Sequence, residues 1–200
     1  MGGSKLGPKA SGVILRLATG PYRDKQTPGN GWEKSNNGPV TDPFDDDELL
    51  ALVADLKIND LSVFLCYRQK VTDGGTAALL AQPVARKLVS IELAECDAGD
   101  EVAKAAAALP LLTSLSLNDT KVTNAGVKHL AEGTRGLTDL RLANTGVTDV
   151  AIPDLAKLKL LTVLDLNGTK VTEAGAKELA AALPKCLIRY GDDKVLGPKK

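Results

Sequence analysis

Leu112-Thr-Ser-Leu115-Ser-Leu117-Asn-Asp-Thr120-Lys-Val122-Thr123-Asn-Ala-Gly126 decides the architecture of this chain, because it returns at Leu161-Thr-Val-Leu164-Asp-Leu166-Asn-Gly-Thr169-Lys-Val171-Thr172-Glu-Ala-Gly175. Looser copies begin at Leu61, Leu88 and Leu137, so successive unit starts are 27, 24, 25 and 24 residues apart. A period of roughly 20 to 50 residues marks stacked units that bury a shared core rather than independent domains. The Leu-x-x-Leu-x-Leu stretch alternates as a short strand does, and Val127, Leu130 and Ala131 fall at helical spacing. Each unit therefore reads as strand, turn, helix and return loop.

The recurring polar residues have duties in that frame. Thr123-Asn124, Thr148-Asp149 and Thr172-Glu173 put a hydroxyl at a helix N-cap and a polar or acidic residue in the first turn, where free amides and the helix dipole favour it. Gly75, Gly126 and Gly175 recur at one place in the unit, which suggests close approach of backbone to backbone between neighbouring coils. Ala151 takes that place in the fourth unit, so small size is what the position demands. Pro110 and Pro184 end helices, and Pro153 predicts a shortened or 3₁₀-like helix in its unit.

These residues resemble leucine-rich repeats of the ribonuclease-inhibitor-like and cysteine-containing classes, in the bacterial form L-T-x-L-x-L-x-x-T-x-V-T-x-x-G. Thr120, Thr145 and Thr169 stand where those repeats usually carry Asn or Cys, and in the unit starting at Leu88 Cys96 and Ala98 replace Thr and Val. The resemblance covers Leu61 to about Lys185. It implies an α/β, right-handed leucine-rich repeat solenoid, a horseshoe segment with a concave parallel β-sheet and convex helices. It also implies that the Thr or Cys turn position faces inward and bonds backbone groups of the next coil.

Solenoid ends expose a hydrophobic cross-section and need caps. Residues 1–60 read as an atypical N-terminal cap with a degenerate repeat, 61–185 as five repeats, and 186–200 as a capping strand and tail. Val13–Leu17 reads as a strand, Gly20–Pro39 as turn-rich loop, and Asp45–Glu48 as the acidic start of a helix through Leu49-Leu50-Ala51-Leu52-Val53. Ile188 and Tyr190 lie 24 residues after Leu164 and Leu166 and continue the strand pattern.

Composition excludes several functions. With 25 basic and 25 acidic residues, no global field draws the chain to nucleic acid. Aromatics are few, so no stacking platform for single strands exists. No stretch of 18 apolar residues is present and residues 1–12 lack a signal-peptide core. The expected setting is cytoplasmic and monomeric, with a secreted or periplasmic one if a leader has been removed. The three cysteines, Cys66, Cys96 and Cys186, are odd in number and far apart in sequence, which fits thiols rather than a disulfide framework.

Chemistry is weighed and set aside. Gly29-Asn-Gly31-Trp32-Glu33-Lys34-Ser35 is not a phosphate loop, because Glu33 occupies the glycine place before the lysine. Consecutive carboxylates from Asp45 to Glu48 lack the alternating spacing of a calcium loop. His129, the single histidine, has no second ligand at metal spacing. The reading is of no enzyme, no catalytic residue, no metal and no cofactor.

What remains variable are the strand positions facing out of the sheet. They form the ladders Val63, Ser90, Ser114, Asp139, Val163 and Leu65, Glu92, Ser116, Arg141, Asp165, with Tyr67 and Arg68 nearer the turn. Partner-binding candidates are Leu65, Tyr67, Arg68 and Glu92 as one patch, and Asp139, Arg141 and Asp165 as another. The expected function is a non-enzymatic scaffold that binds a protein or peptide on its concave face, with no nucleic-acid or membrane partner. The alternative is a recognition module whose N-terminal segment makes the contact.

Overall fold

Strand and helix alternate in step with the leucine frame. The computed structural model describes residues 13–18, 31–32, 45–55, 61–67 and 71–198, with the backbone alone for 13–18, 31–32, 48, 52–55 and 67. In order the elements are β1 (Val13–Ala18), β2 (Gly31–Trp32), α1 (Asp46–Asp55), β3 (Leu61–Tyr67), α2 (Asp73–Leu80), β4 (Ser90–Ala94), α3 (Asp100–Ala107) and β5 (Ser114–Ser116). There follow α4 (Asn124–Gly133), β6 (Asp139–Arg141), α5 (Ile152–Leu155), β7 (Val163–Asn167), α6 (Glu173–Ala182), β8 (Leu187–Gly191) and β9 (Lys194–Leu196). Among the described residues the strands form one nine-stranded sheet in the order β2-β1-β3-β4-β5-β6-β7-β8-β9, parallel throughout except for the last pair. β2 lies inside the stretch read as turn-rich loop and pairs with the outer side of β1.

Inward side chains stack in register from coil to coil. Phe64, Ile91, Leu115, Leu140, Leu164 and Ile188 make one buried row, and Cys66, Leu93, Leu117, Leu142, Leu166 and Tyr190 the next. Val71, Ala98, Val122, Val147 and Val171 close the turn side of the same core. Truncating one such leucine to alanine costs about 2–5 kcal/mol, against at most about 1 kcal/mol for an exposed ion pair. The apolar frame therefore dominates the stability, and the charged surface is free to vary.

From α2 onward, the first turn of each helix is tied to its neighbour by a side chain from the preceding coil. Asp46 accepts the backbone N–H of Thr72 at 2.7 Å and its hydroxyl at 2.6 Å. Asp73 accepts the N–H groups of Gly99, Glu101 and Val102. Asp100 accepts Thr123 N–H, Thr123 hydroxyl and Gly126 N–H, while Asp149 accepts Thr172 N–H and hydroxyl. Thr123, Thr148 and Thr172 are the N-caps that the sequence predicts, and Thr72 is a fourth; each accepts an N–H of its own helix. The acids, by contrast, serve the following helix, Asp46 of the acidic run included.

This ladder corrects the reading of the glycines. A Cβ at Gly75, Gly126 or Gly175 would collide with the carboxylate of Asp46, Asp100 or Asp149, so the close approach is backbone to side chain. Where the cap is Gly99, it is Asp73 that presses on that residue. The coil with Ala151 is the one reached by an amide: Asn124 Oδ1 accepts Thr148 N–H at 2.9 Å and Nδ2 donates to the Thr148 hydroxyl. Its helix opens as a 3₁₀ turn over Asp149–Ala151 before α5, as Pro153 predicts.

Two further corrections concern the turns after the strands. Thr120, Thr145 and Thr169 donate to the carbonyls of Leu117, Leu142 and Leu166, each at 2.6 Å, so they close their own turn and do not reach the next coil. Glu95, Asp119, Asn144 and Gly168 are left-handed, at φ of 55°, 56°, 57° and 66°. That conformation ends each strand and turns the chain toward its helix. Beyond β8, a turn through Gly191, Asp192 and Asp193 folds β9 back antiparallel, so the C-terminal end is a hairpin rather than a lone strand and tail.

Candidate interaction surface

Strand alternation puts the fourth and sixth residues of each Leu-x-x-Leu-x-Leu stretch inward and leaves two columns on the open face of the sheet. The pairing register joins Leu65, Glu92, Ser116, Arg141 and Asp165 in one column and Val63, Ser90, Ser114, Asp139 and Val163 in the other. The first column continues to Arg189, opposite Asp165. Adding the period of 24 to Asp165 finds Arg189, a residue the sequence reading left out.

Arg141 is held on this face by a bidentate pair. Its Nε and Nη2 both donate to Asp139, at 3.1 Å each, in the bidentate geometry that fixes a guanidinium plane. The two are i and i+2 on one strand, hence on one face. The bond to Asp139 holds the Arg141 pKa above its ordinary value, partial burial opposes it, and Glu92 and Asp165 add to it from further off. Arg141 is therefore cationic at any pH the fold meets, with 47 % of its side chain exposed.

Asp165 does not join that pair. Its Oδ1 accepts the backbone N–H of Asn167 at 3.0 Å, stiffening the end of β7. The expected cluster of Asp139, Arg141 and Asp165 resolves into one salt bridge and one neighbouring acid. Between Glu92 and Arg141, Ser116 is 6 % exposed and its hydroxyl has no hydrogen-bond partner. Leu65 and Glu92 face one another on β3 and β4. Tyr67 ends β3 opposite Ala94, and Arg68 lies outside the described residues, as does Lys34.

The open face thus alternates in charge along one column, acid at Glu92, base at Arg141, acid at Asp165, base at Arg189, on a rigid spacing of about 4.8 Å per strand. The opposite flank is helical and carries half-buried His129. Among the described residues no group of three or more His, Cys, Asp or Glu is placed to hold a metal ion, and no helix is long and apolar enough to cross a membrane.

Residues 108–131 and 157–180, which hold the strands β5 and β7 and most of the helices after them, match the family model described as Leucine Rich repeat. These two stretches are leucine-rich repeats. Its coils, sheet and repeat register are those of an α/β leucine-rich repeat solenoid. No curated protein matches this leucine-rich repeat chain significantly. Among solved structures it is similar to an internalin C2 from Listeria monocytogenes str. 4b F2365, with 22% identity and a TM-score of 0.47, over 66% of this chain and 61% of that one. The leucine-rich repeat chain spans about three fifths of that protein's length.

Proposed function

We propose that this leucine-rich repeat domain is a non-enzymatic scaffold that binds a protein or peptide across the open, concave face of its sheet. The observation that carries this reading is the immobilised Arg141. A half-exposed guanidinium locked by two hydrogen bonds offers its remaining donors with little entropy left to lose. Arginine anchors of this kind concentrate binding energy in protein interfaces. Glu92 and Asp165 on one column, with Arg189 beyond, favour a partner segment carrying charges of both signs, laid across the strands. Compensated charge and scarce aromatics argue against nucleic acid as the partner.

The test is capture from the native host with the purified chain as bait, beside Arg141→Ala/Asp165→Ala and a helix-flank control, Lys104→Ala/Lys128→Ala. A protein retained by wild type and control but lost by Arg141→Ala/Asp165→Ala supports the concave face. Equal retention by all three would remove it. A second double variant, Leu65→Ala/Glu92→Ala, reports whether the binding footprint reaches the N-terminal coils.

A further inference from the structure

Cys66 and Cys96 are the two places among the described repeats where cysteine replaces a frame residue, leucine in one case and threonine in the other. Cys66 stands in the row of Leu93, Leu117, Leu142 and Leu166, and Cys96 at the turn position of Thr120, Thr145 and Thr169. Because the replacements fall in successive coils, the side chains meet. Their Sγ atoms are 3.6 Å apart, and Cys96 Sγ is 3.4 Å from the Cys66 carbonyl and 3.5 Å from that of Ala94. The separation of 30 residues that makes them unrelated in sequence is one coil in space. None of the three cysteines is in a disulfide.

We propose that Cys66 and Cys96 are a redox-convertible thiol pair, a site of reversible disulfide formation that stitches the coil of β3 to the turn after β4. A disulfide bond of about 2 Å needs roughly 1.5 Å of approach between the sulfurs. The oxidant is a low-molecular-weight disulfide. Cys96, 6 % exposed against 0 % for Cys66, meets it first. Its thiol loses a proton and the thiolate attacks one sulfur of the small disulfide, whose other half leaves and is protonated. Cys66 then gives up its proton and attacks Cys96 Sγ, expelling the second small thiol. Two protein thiols have lost two protons and two electrons, and one small disulfide has become two thiols. In the reduced pair the hydrogen bond with Cys96 and burial both raise the Cys66 pKa, which leaves Cys96 as the first nucleophile. Cys186 lies just before β8, five strand positions from β3 in the sheet order, and is an internal control.

The experiment treats the folded, reduced chain with oxidised glutathione, quenches with iodoacetamide in denaturant and measures intact mass and cysteine-containing peptides. The expected product is lighter than the reduced chain by two hydrogens before alkylation. It then takes one alkyl group instead of three, yields a peptide joining Cys66 to Cys96, and reverts with dithiothreitol. Cys96→Thr, which restores the residue of the other turns, abolishes that product while keeping the native circular dichroism. Cys66→Ala gives only a glutathione adduct at Cys96. The proposal is overturned if folded wild type stops at that adduct, if it links through Cys186, or if it stays fully reduced while an unfolded sample is oxidised.

Discussion

The carboxylate of Asp100 accepts the backbone N–H of Gly126 at 2.9 Å, across the boundary between two coils. A Cβ on residue 126 would stand 2.5 Å from that oxygen, 3.0 Å from Val122 Cγ1 and 3.1 Å from Ala103 Cβ. Alanine is the better helix former by about 1 kcal/mol, but crowding of this kind costs about 1–3 kcal/mol. Gly126→Ala should therefore lower the urea midpoint. A higher midpoint would mean that the carboxylate moves aside freely. Part of the clash disappears with its partner, so Gly126→Ala in an Asp100→Ala background should show a coupling of about 1 kcal/mol.

Asp100 itself separates two kinds of loss. Asp100→Ala removes three accepted bonds, to Thr123 N–H, Thr123 hydroxyl and Gly126 N–H, and should cost about 2 kcal/mol in chemical denaturation. Asp100→Asn should cost under about 1 kcal/mol, because an amide can face Thr123 as Asn124 faces Thr148, one group accepting the N–H and the other donating to the hydroxyl. Equal losses for the two variants would deny that this second arrangement is available at the earlier coil.

Thr145 offers a similar contrast in the turns. Its hydroxyl donates to the Leu142 carbonyl at 2.6 Å from a buried position. Thr145→Val keeps the shape and strands that carbonyl, for about 1–2 kcal/mol. Thr145→Ser keeps the bond and loses a methyl group, for about 1 kcal/mol or less. The order of the two urea midpoints decides whether the bond or the methyl matters more.

The parts of this fold that were legible in the sequence are those dictated by period. Leu112 to Gly126 and its copies repeat every 24 or 25 residues, and periodic burial converts that spacing into register, so the columns through Ser116 and Arg141 could be written down beforehand. Side chains that cross between coils were not legible. Asp73, Asp100 and Asp149 occupy a place where an acid stabilises its own helix, and nothing along the chain says that each reaches the next one. The same blindness hid the meeting of Cys66 with Cys96 and the pairing of Arg141 with Asp139 in preference to Asp165. The hairpin strand β9 was missed because Lys194-Val195-Leu196 is too short to register as a pattern.

That hairpin is the closing element of the sheet. β9 covers β8, Asp193 accepts the Asn167 side-chain N–H at 2.9 Å, and Lys194 lies 3.7 Å from Glu173 in the first turn of α6. Ending the chain after Gly191 removes these contacts and bares a hydrogen-bonding edge beside Ile188 and Tyr190. The truncated chain should denature at lower urea and self-associate, since uncovered edge strands pair with one another. Size-exclusion chromatography with light scattering reads the second effect. A monomer of unchanged stability would show that β8 closes the sheet unaided.

Arg141 should behave in the opposite way, mattering for binding and hardly for folding. Its bond to Asp139 is bidentate, yet nearly half of the arginine side chain is exposed, and exposed pairs contribute about 0.2–1 kcal/mol after screening. Arg141→Ala should shift the urea midpoint by less than any of the inter-coil variants. Arg141→Lys keeps the charge but cannot hold the two-pronged geometry, so against a partner captured on this face it should bind nearly as poorly as Arg141→Ala. If lysine restores affinity, the guanidinium acts as a point charge. The affinity should then fall steeply with added salt, by the screening that a short, directed bond resists better.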